Sequence, residues 1–198
     1  MEELKVKLTG ACPLLMHDNK AANPLNAYAK ALKALTSKRK KSDDDHREIA
    51  RLEWESGLYL HEGIVAIPAK CTDKCFWEGA KRNKNGKLYR SGVMVAEDFH
   101  PLNYKGAKIS VKESREIPNP DLDKFFEDHA HTSIVKVGNQ QVVRTRPIFH
   151  DWSLECTLYV DTGVINLSTV LDIAKDSGSY VGLLEQRPRL GRFNVVKL

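Results

Sequence analysis

Cysteine is scarce in this chain: four among 198 residues, at Cys12, Cys71, Cys75 and Cys156. Their spacing matches no secreted disulfide framework, which excludes a small domain stapled by cross-links. Signal-peptide patterning and apolar runs of membrane length are also missing, so the reading is a cytoplasmic protein with no membrane partner. No internal repeat or low-complexity tract stands out, which excludes solenoids. Cys71 and Cys75 sit four apart on an expected helix, a spacing that half of a metal site can use. Zinc usually takes tighter pairs and two further ligands, so an apolar helix face is the better reading and neither metal nor cofactor is expected.

Hydrophobic residues make up 41% of the chain and charged residues 29%, the balance of an ordinary folded protein. One domain over residues 1–198 is expected, with residues 95–130 as an insertion or irregular segment. The formal net charge of +5 is modest, so its distribution matters more than its size. Lys38, Arg39, Lys40 and Lys41 form one basic run. Lys81, Arg82, Lys84, Lys87 and Arg90 form a second, in a stretch without any acid. No acid follows Glu185, yet Arg187, Arg189 and Arg192 lie beyond it.

Alternation that turns continuously apolar in "LKVKLTGACPLLMH" predicts a first strand ending near Pro13 to His17. "PLNAYAKALKALTSKRKK" places Leu25, Tyr28, Ala29, Leu32 and Leu35 on one face of a helix with a basic end. Ser42 before Asp43, Asp44 and Asp45 predicts the start of a second helix, and Gly57 its stop. "GIVAIPAK" reads as a strand broken by Pro68, and "CTDKCFWEGAKRN" as a third helix. "NKNGK" then reads as a turn into a strand through "YRSGVMVA". Further on, "KISVKESREI" looks like a strand and "PNPDLDKFFEDH" like a turn and loop. "TSIVKVGNQQVVRTRPIF" has the signature of a hairpin turning at Gly138 and Asn139, and "WSLECTLYVD" is the clearest strand. Ser168 is the expected cap of a helix ending at Gly178, and "RFNVVKL" a closing strand.

The segment from Gly182 to Gly191 therefore follows a helix and precedes a strand. Nucleotide-binding loops run the other way, because a helix N-terminus supplies the free N–H groups and positive dipole that hold phosphate. Any anion here must be held by the arginines and by turn amides. Arginine suits a phosphodiester, since its planar fork donates two hydrogen bonds and its charge does not titrate away. Pro188 restricts the chain to extended geometry and helps to splay Arg187 and Arg189. The alternative is a solvated surface loop pairing with Glu185, or a subunit contact.

The order helix, glycine loop, arginines, closing strand resembles the glycine-rich loop of the RAMP superfamily, the RNA-binding proteins of CRISPR systems. "AIPAKCTDKCFWEGAKR" is similar to that superfamily's strand, proline and helix element, with Gly79 and Arg82 at its glycine and basic positions. The whole chain also resembles a group of tailed-bacteriophage proteins with a "PLLMH" start, a "RTRPIF" segment and a "RPRxGRF" end. The loop lacks the superfamily's second glycine close to Gly182. The resemblance implies an α+β fold with a ferredoxin-like (RRM-like) core, inserted helices and a hairpin, ending in a C-terminal glycine-rich loop. It also implies RNA as partner and, by analogy with the backbone-forming members, self-association along the strand.

Two further groups are candidates. Arg144 and Arg146 fall on one strand face with Thr145 pointing inward. Trp152 just beyond them is either an aromatic platform or core, and exposed cross-strand ion pairs are the other reading of the arginines. His17 and Asp18 directly follow the first strand, where some RAMP nucleases place a catalytic residue. A lone His-Asp pair at a strand end is more often structural, and no catalytic partner is identifiable by spacing, so no catalytic residue is assigned. The expectation is a non-catalytic protein that grips single-stranded RNA or DNA, RNA favoured, in a bacterial host's cytoplasm. Arg187, Arg189 and Arg192 position phosphates, Arg144 and Arg146 extend the track, and the lysine runs supply the long-range field. The alternatives are a phage assembly or anti-defence interaction protein, and an endoribonuclease using His17 or Asp18.

Overall fold

The computed structural model describes residues 1–104, 107–108 and 117–198. In chain order the first part holds β1 (Glu2–Gly10), β2 (Leu14–Leu15), a 3-10 turn (Asn19–Ala22), α1 (Ala27–Thr36) and α2 (Asp43–Gly57). The middle holds β3 (Leu60–His61), β4 (Ile64–Pro68), α3 (Ala69–Arg82), α4 (Gly86–Gly92), β5 (Val93–Val95), β6 (Phe99–Pro101), β7 (Asn103–Tyr104) and β8 (Ala107–Lys108). The last part holds α5 (Asn119–His129), β9 (Ala130–Val137), β10 (Gln140–Phe149), β11 (Trp152–Val160), α6 (Leu167–Tyr180) and β12 (Phe193–Lys197). The fold is mixed α+β with antiparallel sheets. The chain divides into two compact units. One comprises Met1–Leu14, Leu60–Ile109 and Phe149–Leu198; the other comprises Leu15–Tyr59 and Ser110–Ile148.

In the first unit, β1 lies between β12 and β11, and β5 and β7 pair with the far edge of β11, all antiparallel. Period-two alternation drives this: Leu4, Val6 and Leu8 of β1 and Leu154, Cys156, Leu158 and Val160 of β11 all turn to one buried face. The break between β1 and β2 falls at residues 11–13, earlier than the expected strand end. Helix α3 begins directly after Pro68, whose φ of −60° suits a helix entry, and α3 packs against α6. Their contact depends on glycine, because a Cβ on Gly79 would run into Ser177 Oγ.

Two expectations are corrected in this unit. Gly178 does not end its helix, which is preceded by Asn166 as N-cap rather than Ser168 and continues to Tyr180. Gly178 is instead the point where α6 meets β12, and a Cβ there would strike the Phe193 carbonyl oxygen. The stretch expected to be strand from Tyr89 is helical as far as Gly92, with only Val93–Val95 extended. Burial of Tyr89, whose hydroxyl donates to Asp73 at 3.2 Å, holds that turn in place.

In the second unit, α2 opens with a capping box: Ser42 Oγ accepts from the Asp45 N–H and the Asp45 carboxylate accepts from the Ser42 N–H. Helix α1 stops at Thr36, so the basic run sits in the connector to α2 rather than on a helix end; Leu25 lies before the helix and is exposed. Strands β9 and β10 form the expected hairpin with Gly138 at φ +60° and Asn139 in its turn. The segment read as turn and loop is the eleven-residue helix α5. Proline is compatible with a helix's first turn, and here Leu122 is buried while Phe125 meets Trp54 edge-on at 5.1 Å. The strand expected over residues 108–117 lies almost wholly outside the described residues. Among the described residues no helix is long and apolar enough to cross a membrane, and the four cysteines are free thiols.

Candidate nucleic-acid interface

The glycine loop is closed by its own backbone. Leu183 N–H donates to the Gly191 carbonyl at 2.8 Å, Gly191 N–H to Pro13 at 2.8 Å, and Gly182 N–H to Ser177 at 2.9 Å. Gly182 and Gly191 are buried at φ +78° and +74°, and a Cβ on Gly191 would strike the Leu183 carbonyl oxygen. These two glycines shape the loop, and their amides are already used, by the Ser177 and Pro13 carbonyls. Arg187 does not point to solvent as expected: its Nη1 donates to Glu78 Oε2 of α3 at 2.9 Å, and both groups are about a quarter exposed. Arg189 and Arg192 are exposed; the Cys12 thiol meets their backbone, the Arg192 N–H donating to Sγ at 3.2 Å, and no described acid pairs with either guanidinium.

The Arg187–Glu78 pair seats the loop against α3, and the second basic run continues from there. Arg82 lies over the Tyr180 ring at 4.7 Å, at the root of the loop. Beyond it a groove of about 570 Å³ is lined by Trp77, Lys81, Lys84, Gly86, Lys87 and Arg90. Lys81 Nζ stands 3.7 Å and Arg90 Cζ 4.2 Å from the Trp77 ring centre. Such contacts are worth about 0.5–1 kcal/mol each at exposed sites, enough to bias the two cations toward the ring. The ring is thereby occupied, so the groove offers positive charge rather than a stacking platform. Arg90 also faces Asp73 at 3.8 Å, while Lys84 and Lys87 are exposed with no described acid partner. Sequence reading singled out the cations but not Trp77 or Tyr180; the signal was the four-residue spacing of Trp77 and Lys81 on one helix face.

The remaining candidates belong to the second unit. Arg144 and Thr145 are both tied to Glu53: the guanidinium pairs with Oε1 and the Thr145 N–H donates to Oε2 at 2.9 Å. Thr145 is buried, as its inward position requires, and Arg146 Nε is buried without a hydrogen-bond partner among the described residues. Trp152, in the first unit, is core and donates to the Cys12 carbonyl at 2.9 Å. Lys38 pairs with Asp45 at 2.6 Å and Lys41 donates to the Lys38 carbonyl at 2.9 Å, while Arg39 and Lys40 are exposed. The His17 carbonyl accepts from Tyr59 at 3.2 Å, and Asp18 lies 3.5 Å from Lys20 Nζ. Burial pushes the Lys20 ammonium below its ordinary range, against the pull of Asp18.

Cys75 is part of the α3 core face and lies 3.2 Å from the Gly182 carbonyl, with burial pushing its thiol up to about 12. Among the described residues the metal-capable group is a different one: Glu97, His100 and Cys156 offer ligand atoms within 4.8 Å of one another. Glu97 and His100 at three-residue spacing were visible in the sequence, but Cys156 joins them only through the sheet. No protein-family model matches the chain, and no curated protein sequence matches it.

Proposed function

We propose that the chain binds single-stranded nucleic acid, RNA in preference to DNA, through the phosphate backbone. The observation that carries this is the cationic groove of the first unit. Five exposed cations, Lys81, Arg82, Lys84, Lys87 and Arg90, surround two aromatic rings, next to a loop that exposes Arg189 and Arg192. Cations already biased toward aromatic faces lose less ordering entropy when a phosphate arrives, and their spread along α3 and α4 suits an extended strand. The order β1, α3, β5, β11, α6, β12, with sheet neighbours β12, β1, β11 and β5, supports a ferredoxin-like core. RNA-binding domains of the RRM type use that arrangement. Arg187 and Arg144 act in this reading as structural anchors, since each is already paired with an acid.

The test is fluorescence anisotropy of a labelled single-stranded RNA across a range of salt. Seven phosphate contacts, five in the groove and two on the loop, give a slope of log K on log salt of about −4.9. Replacing Lys81, Lys84 and Lys87 together by alanine brings the slope to about −2.8 and weakens binding at low salt. An unchanged slope in the triple variant overturns the reading. One observation favours a second reading, protein assembly: Ile134 and Val143 face each other across the β9–β10 hairpin and are 69% and 58% exposed. Absence of RNA binding together with a salt-insensitive oligomer, dissociated by Ile134→Lys, would select it.

A further inference from the structure

A second cluster in the first unit is unrelated to phosphate binding. Glu97 follows β5, His100 lies on β6 and Cys156 on β11, and β4–β6 and β5–β11 pairing brings them together. His100 and Cys156 are fully buried, while the Glu97 carboxylate is 37% exposed. Glu97 is held from behind by the Thr157 N–H, 3.1 Å from each of its oxygens.

Hydrogen bonding decides which imidazole nitrogen is offered. Thr72 Oγ1 lies 2.8 Å from the Ala69 carbonyl and 2.9 Å from His100 Nε2; when its one proton is given to the carbonyl it accepts from Nε2, which then carries the ring proton. Nδ1 is then a lone pair in a buried place; among the described residues it has no hydrogen-bond partner, and it lies 3.8 Å from Glu97 Oε2. A buried lone pair facing a carboxylate is an arrangement that a cation relieves. A histidine whose other ring N–H is held by a neighbouring oxygen is the usual posture of a metal ligand.

We infer that Glu97, His100 and Cys156 form a binding site for a divalent transition metal, zinc first, with one coordination position open. Thiolate and imidazole together favour zinc over magnesium or calcium, which take oxygen ligands. On binding, the Cys156 thiol loses its proton to solvent and the sulfur, Nδ1 and a Glu97 oxygen each donate an electron pair to the ion. Tetrahedral bonds of about 2.0–2.3 Å place ligand atoms about 3.3–3.8 Å apart, so the triad closes by about 1 Å on binding. A depression of about 320 Å³, lined by Asp73, Glu97 and Asp98 together with Lys70 and Arg90, opens beside the carboxylate and gives a small ion access from solvent.

The experiment is a Co²⁺ titration of the full chain, reduced and first stripped with chelator, read by thiolate-to-cobalt charge-transfer absorption. A saturable, stoichiometric band is expected, displaced by Zn²⁺, abolished in Cys156→Ser and at least about tenfold weaker in Glu97→Gln and in Thr72→Val. Circular dichroism checks that each variant folds. Should Cys156→Ser not fold, the Glu97→Gln titration decides, because that side chain is partly exposed and its carboxamide keeps the shape. Absence of a band in the unaltered chain overturns the site. So does a band that persists in folded Cys156→Ser, or one whose affinity Glu97→Gln leaves unchanged.

Discussion

Arg187 and Arg189 stand two positions apart and differ in what holds them. Arg187 is part-buried against Glu78, so Arg187→Ala lowers stability by about 1 kcal/mol and changes RNA affinity little. Arg189 is exposed without a described partner, so Arg189→Ala leaves the unfolding midpoint in place and reduces the salt slope by about 0.7. Thermal unfolding beside anisotropy on both variants checks the contrast; equal loss of affinity in the two would show that Arg187 leaves Glu78 to meet the ligand. The partner of Arg187 lies 109 residues away in sequence, and that of Arg144 lies 91 away. Sequence composition identified these arginines as a cationic loop and strand, but nothing local could reveal that acids had already claimed two of them.

At the scale of elements, Glu53 joins α2 to β10 within the second unit by accepting from both Arg144 and the Thr145 N–H. Glu53→Ala leaves that N–H buried without its acceptor and the half-exposed guanidinium unpaired, and costs about 1–3 kcal/mol in urea unfolding. In the double variant with Arg144→Ala the losses are less than additive, because both changes break one interaction; strict additivity would refute the coupling. Elements with local signals were legible in the sequence: the α2 cap at Ser42, the alternation of β11, the two-residue turn at Gly138 and Asn139. Two helices were not. Asn85-Gly86 imitates a hairpin turn, and Pro118 with Pro120 imitates a loop, whereas both pairs here mark helix starts. What decides is burial of Tyr89 and of Leu122, a tertiary fact that turn chemistry does not carry.

Across the whole molecule, buried ionisable groups set a pH limit. Burial raises the Cys75 thiol from 9.0 to about 12, and burial followed by the nearby Asp73 raises the Tyr89 hydroxyl. The folded chain keeps these protons where the unfolded chain releases them. Stability is therefore complete below about pH 9 and declines as pH rises toward 12, by about 1.4 kcal/mol per pH unit for each group in that window. Urea midpoints measured at rising alkaline pH check this, and a flat profile would mean that the thiol and phenol are not enclosed. The order of strands carries one more consequence. Strand β1, whose Leu4, Val6 and Leu8 face inward, is flanked by β11 and β12, the last two strands of the chain. During translation, at roughly 5–20 residues per second, β1 emerges about 7–30 seconds before β11, the first of its partners, exists. For that interval the ribosome displays an unpaired apolar strand, a natural client for a holdase chaperone at the exit tunnel.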